Sequence, residues 1–132
     1  MNTAWLFPGQ ASQKVGMGLD LFNQTEIGKT YFTRANEIME CDFQSIIFNG
    51  PDETLKQTEY TQPAIYIVSV IIGLLLLEKG RIPTAVAGHS LGEYSALTIA
   101  GVFDFDTGLN LVKIRSESMA KACLIQQGTM AA

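Results

Sequence analysis

A chain of 132 residues with 47% hydrophobic and 17% charged side chains has the length of one domain and the apolar content to bury a core, which excludes a disordered tail. Its formal net charge of −4 offers no basic face to a phosphate backbone, so nucleic acid is not an expected partner. Cys41 and Cys123 stand far apart without metal-ligand spacing and are expected as buried free thiols in a reducing compartment; no metal site is expected, and the first ten residues lack the basic n-region of a secretory signal, so the expected localisation is cytoplasmic.

In chain order, residues 3–7 form a short apolar run closed by Pro8-Gly9, which predicts a buried strand entering a turn. Residues 10–18 hold two glycines with Gln10, Ser12 and Gln13 and read as a loop, in which Gly16 and Gly18 bring the backbone close to a ligand or a neighbouring element. The loop lacks the Gly-x-Gly-x-x-Gly pattern and the Lys-Ser/Thr ending that phosphate cradles require. Helices are predicted over residues 20–24 and 28–40, the second amphipathic with Tyr31, Phe32, Ala35, Ile38 and Met39 on its apolar face. A short helical piece at 43–48 is broken by Asn49-Gly50-Pro51, and Asp52-Glu53-Thr54 reads as an acidic helix start.

The longest element is predicted from Thr61, as N-cap with Pro63 in the first turn, to about Lys79. Residues 64–77 carry no charge, yet the run is shorter than the roughly 18 to 20 residues that span a bilayer. A helix apolar all round is then a core helix, and no membrane association is expected.

Residues 82–87 predict a strand, and the stretch Val86-Ala87-Gly88-His89-Ser90-Leu91-Gly92-Glu93-Tyr94 has the Gly-x-Ser-x-Gly pattern of a nucleophile elbow: strand, tight turn with the serine strained at its tip, then helix. Ser90 is the candidate nucleophile, with the N-terminus of the helix at 94–100 directed at the reacting centre. Gly88 and Gly92 are expected where a side chain would collide with a neighbouring element. Asp104 is the expected cap of a last helix from Phe105 to about Gln126, with Leu109, Val112, Ile114, Met119 and Ala122 as its buried stripe, and residues 129–132 resemble the start of a further strand.

Alternating strands and helices imply an α/β layer structure with a parallel sheet, in which the loop after Phe7 and the elbow at Ser90 converge beyond the carboxyl ends of paired strands.

Phe7-Pro8-Gly9-Gln10-Ala11-Ser12-Gln13, Thr61-Gln62-Pro63-Ala64, Gly88-His89-Ser90-Leu91-Gly92-Glu93-Tyr94 and residues 115–119 together resemble, in order along the whole chain, the malonyl-CoA:acyl carrier protein transacylases of fatty acid and polyketide synthesis. Ala11 departs from the glycine usual there. The resemblance implies the large subdomain of a parallel-sheet, α/β-hydrolase-like acyltransferase, ending before the ferredoxin-like small subdomain, with residues 1–132 as its N-terminal portion. It implies ping-pong malonyl transfer from coenzyme A through Ser90 to the phosphopantetheine thiol of acyl carrier protein, with no cofactor. It further implies an oxyanion hole from the backbone N–H groups of Gln10 and Leu91, a carboxylate partner in Arg115, and substrate contacts from Gln62, His89 and Met119.

The family also needs a histidine base, and this sequence has a single histidine, His89, whose position beside Ser90 points it to the opposite face. An N-terminal fragment, inactive alone, is therefore expected. Two other readings stay open: a non-catalytic split half that self-associates or binds a complementary chain, and a serine hydrolase with the same elbow. Arg115 separates the last, because a hydrolase needs no cation facing an anionic acyl group.

Overall fold

Strands β1 (Ala4–Phe7) and β2 (Ala85–Gly88) pair in parallel, Trp5 opposite Val86 and Phe7 opposite Gly88. The computed structural model describes residues 2–129. Thr84 N–H donates to the Thr3 carbonyl at 2.8 Å and His89 N–H to the Phe7 carbonyl at 3.0 Å, so the ladder continues one step past each strand. The second strand starts later than the sequence suggests, because Pro83 has no N–H for a ladder. The first strand is not buried as expected: Leu6 is 78% exposed and only Phe7 is buried, since the strand has one partner among the described residues.

Between the strands run α1 (Leu19–Gln24), α2 (Glu26–Met39), α3 (Phe43–Asn49), α4 (Asp52–Leu55) and α5 (Thr58–Glu78). The sheet is followed by α6 (Gly92–Ile99) and α7 (Phe105–Ile125). The loop at 10–18 is irregular as expected; Gly18 packs so tightly on Phe32 that a Cβ would sit 2.8 Å from its ring, whereas Gly16 faces open space and serves a turn with φ 93°.

The centre of the core is α5. By length and composition it is apolar enough to cross a membrane, yet every residue from Thr61 to Ile71 is buried among α2, α6 and α7. At about 2 kcal/mol for each fully buried aliphatic side chain, Ile67, Val70 and Ile71 contribute a large share of the attachment of this helix to its neighbours. Thr61 is not its N-cap. The helix starts a turn earlier, with the Gln57 carbonyl accepting from Tyr60 and Thr61 N–H, and the buried Thr61 hydroxyl donates to the Leu55 carbonyl, tying α5 to α4. Pro63 consequently lies in the second turn rather than the first.

The expected buried stripe of α7 needs correction at three residues. Its buried stripe is Phe105, Gly108, Leu109, Val112 and Ser116; Ile114 is 61% exposed because it lies off the 3–4 spacing of that face, Met119 is half-buried, and Ala122 is exposed. Ser116 is tolerated inside because its hydroxyl donates to the Lys113 carbonyl at 3.0 Å. The cysteines are free but exposed, Cys41 just beyond α2 and Cys123 in the last turn of α7. Residues 130–132 of the expected further strand lie outside the described residues, and Thr129 is not in a strand.

Candidate active site

The elbow at Ser90 is produced by close backbone approach. A Cβ added to Gly88 would overlap the backbone of Gly92, and one added to Gly92 would overlap the Phe7 and Pro8 carbonyls. Only glycine at both positions lets β2 reverse into α6 beside β1. Ser90 itself takes φ 53°, the left-handed conformation expected at the tip, and its side chain is exposed. The turn is closed by Gly92 N–H to the His89 carbonyl at 2.9 Å and Glu93 N–H to the Ser90 carbonyl at 3.1 Å.

The loop after β1 is pressed on the same turn. A Cβ on Gly9 would stand 2.5 Å from the His89 carbonyl oxygen and 3.1 Å from its Nδ1, so the backbone entering Gln10 runs alongside the elbow. The Gln10 side chain is anchored by its Nε2, which donates to Thr58 Oγ1 at 3.2 Å. Among the described residues, neither Gln10 N–H nor Leu91 N–H donates a hydrogen bond. Ala11 has φ 88°, a region that L side chains rarely adopt.

Arg115, on the middle of α7, reaches the elbow. Its Nη2 donates to Ser90 Oγ at 3.2 Å, its Nη1 donates to Gln62 Oε1 at 2.5 Å, and its guanidinium carbon lies 5.7 Å from the centre of the Tyr94 ring. Gln62, 1% exposed, completes the chain by donating from Nε2 to Met119 Sδ at 3.3 Å. Arg34, Lys29, Lys56 and Lys113 each have a carboxylate within 4.0 Å; among the described residues half-buried Arg115 has none. A guanidinium held by neutral partners keeps donors and charge for an incoming anion.

The structure thus joins Ser90, Arg115, Gln62 and Met119 in one network and sets the Gln10 and Leu91 N–H groups around the same turn. His89 is not in that network: its ring lies against Gly9 and makes no hydrogen bond to Ser90. Sequence reading gave Tyr94 no role although it closes the elbow motif, because its meeting with a residue 21 positions later on another helix has no local signal. No group of three or more potential metal ligands occurs among the described residues.

An elbow serine on a parallel-sheet α/β scaffold, with an arginine at its hydroxyl, defines an acyl-transferring class of protein, and the chain belongs to the acyl transferase domain family, which matches residues 4–132. It is 53% identical over 92% of its length to the malonyl CoA-acyl carrier protein transacylase of Synechocystis sp. PCC 6803, and it spans 41% of that protein. The crystal structure of the Synechocystis transacylase superposes with a TM-score of 0.89, again over 92% of this chain and 41% of the other. A malonyl-transacylase in complex with its type II polyketide acyl-carrier protein superposes at 0.87, with 41% identity over 92% of this chain and 40% of the other. The parallel-sheet acyltransferase fold expected from the sequence is therefore the fold found.

Proposed function

We propose that this chain carries the nucleophile and the acyl-selecting cation of a malonyl-CoA:acyl carrier protein transacylase. The observation that supports it most is the half-buried Arg115 guanidinium, without a carboxylate partner among the described residues, 3.2 Å from the elbow serine. Ser90 Oγ attacks the thioester carbonyl of malonyl-CoA as a base takes its proton, the C–S bond breaks, and that base returns the proton to the departing sulfur so that coenzyme A leaves as the thiol. The phosphopantetheine thiol of acyl carrier protein then attacks the seryl ester and releases Ser90. In both steps the Gln10 and Leu91 N–H groups receive the oxyanion, and Arg115 pairs with the malonyl carboxylate.

A general base typically contributes about 10² to 10⁴-fold, and His89, the single histidine, makes no hydrogen bond to Ser90. We assign the base to polypeptide outside these 132 residues and expect the chain alone to turn over slowly. A second observation favours pairing with such polypeptide. Between β1 and α5 lies an apolar groove lined by Trp5, Leu6, Ile72 and Leu76, with Leu6 78%, Ile72 45% and Leu76 36% exposed.

The test is transfer of malonyl from coenzyme A to acyl carrier protein by this chain mixed with the remaining 59% of the Synechocystis transacylase, made separately. Transfer by the mixture and not by either part supports the reading. Transfer by this chain alone at the mixture's rate would show that a base lies within it.

A further inference from the structure

Resting on that reading, we infer that Tyr94 is a positioning residue for Arg115 and thereby sets the preference for a carboxylated acyl group. Arg115 has three contacts at its head: Ser90 Oγ, Gln62 Oε1 and the face of Tyr94. Each is uncharged. A half-buried guanidinium needs compensation for lost water, and a carboxylate neighbour would supply it only by occupying the donors a substrate carboxylate must take. An aromatic face compensates differently. Its quadrupole attracts the cation perpendicular to the ring and leaves the in-plane N–H donors free.

The two neutral partners divide the work. Gln62 fixes one edge of the guanidinium, and its amide orientation is held by Met119: reversed, its NH2 would face the cation and its oxygen the sulfur. Tyr94 fixes the plane. Four residues after Ser90 on α6, it is carried by the same turn that presents the nucleophile, so cation and hydroxyl are located from one piece of backbone. The Tyr94 hydroxyl makes no hydrogen bond to a described residue, so the ring and not the oxygen is the working part.

The experiment uses the 132-residue chain, without turnover. Dissociation constants for malonyl-CoA and acetyl-CoA are measured by NMR titration, following the backbone amide resonances of α6 and α7, for wild type, Tyr94→Phe, Tyr94→Leu and Arg115→Ala. Phenylalanines carrying one, two and three fluorines at position 94 drain the ring's negative potential while keeping its shape. The malonyl-over-acetyl preference is expected to persist in Tyr94→Phe, to fall about fivefold in Tyr94→Leu, and to decline with each fluorine. A folded Tyr94→Leu chain with the wild-type preference, or a fluorine series without a trend, overturns the role of Tyr94 while Arg115→Ala still abolishes the preference. Wild type that binds both thioesters equally overturns the transacylase reading, and this inference with it. Should Tyr94→Leu not fold, the fluorine series alone decides.

Discussion

Arg115 Nη2 and Ser90 Oγ lie 3.2 Å apart although the two residues are separated by 25 positions in sequence. In the proposed reaction the cation would then stand beside an acyl group carried by Ser90. A three-carbon malonyl group, ending in a carboxylate, would satisfy it, whereas an acetyl group would leave its donors facing a methyl.

Removing the cation should change acyl choice rather than chemistry. Arg115→Ala, in an assembly that transfers malonyl, is expected to lose about ten- to a hundredfold in malonyl kcat/KM while acetyl transfer rises relative to it, the scale of a charge-assisted bidentate hydrogen bond. Arg115→Lys should recover part of the loss, having charge without the planar fork. An unchanged malonyl-to-acetyl ratio in Arg115→Ala would remove Arg115 from acyl selection.

Ala11 is held at φ 88° in the loop that presents Gln10. Ala11→Gly exchanges a strained side chain for free rotation, and strain relief of about 1 to 2 kcal/mol should exceed the added unfolded-state entropy. Chemical denaturation should show a net gain of about 0.5 to 1 kcal/mol. A loss would mean that the loop does not hold this conformation in solution.

Gly92 has the carbonyls of Phe7 and Pro8 where a Cβ would go, and backbone cannot step aside as a side chain can. Gly92→Ala is expected to cost about 3 kcal/mol or more and to part the elbow from β1. Gly128, with nothing within 4 Å of an added Cβ, is the control and should accept alanine without effect. Equal unfolding midpoints for the two variants would contradict the packing described.

Ser95 on α6 is fully buried, and its Oγ has no hydrogen-bond partner among the described residues. Ser95→Ala removes a desolvated hydroxyl and should stabilise the chain by about 1 kcal/mol, visible as a raised melting temperature. A lowered one would reveal a partner for that hydroxyl.

What the sequence made legible was local. Gly88, Ser90 and Gly92 encode the elbow because the conformations they need are properties of five consecutive residues, and the parallel pairing of the two apolar runs that lead into turns was expected, without its register. Their convergence was readable for that reason. The network around Arg115 was not, since Gln62, Ser90 and Tyr94 reach it from α5, the elbow turn and α6, while Met119 on its own helix bonds Gln62, and only the family resemblance put an acyl carboxylate beside it. Cap rules misplaced the start of α5 because the Thr61 hydroxyl bonds to the Leu55 carbonyl instead of to its own helix. Ile114 was misassigned because α7 chooses its buried face by what α5 offers, and Ser116 satisfies its hydroxyl internally.

The most direct test of the central claim is the mass of this chain after incubation with malonyl-CoA, in the presence of the remaining part of the Synechocystis transacylase and without acyl carrier protein. The account predicts a gain of one malonyl group on the peptide containing Ser90, lost in Ser90→Ala. A malonyl adduct of the same yield that survives Ser90→Ala would contradict it.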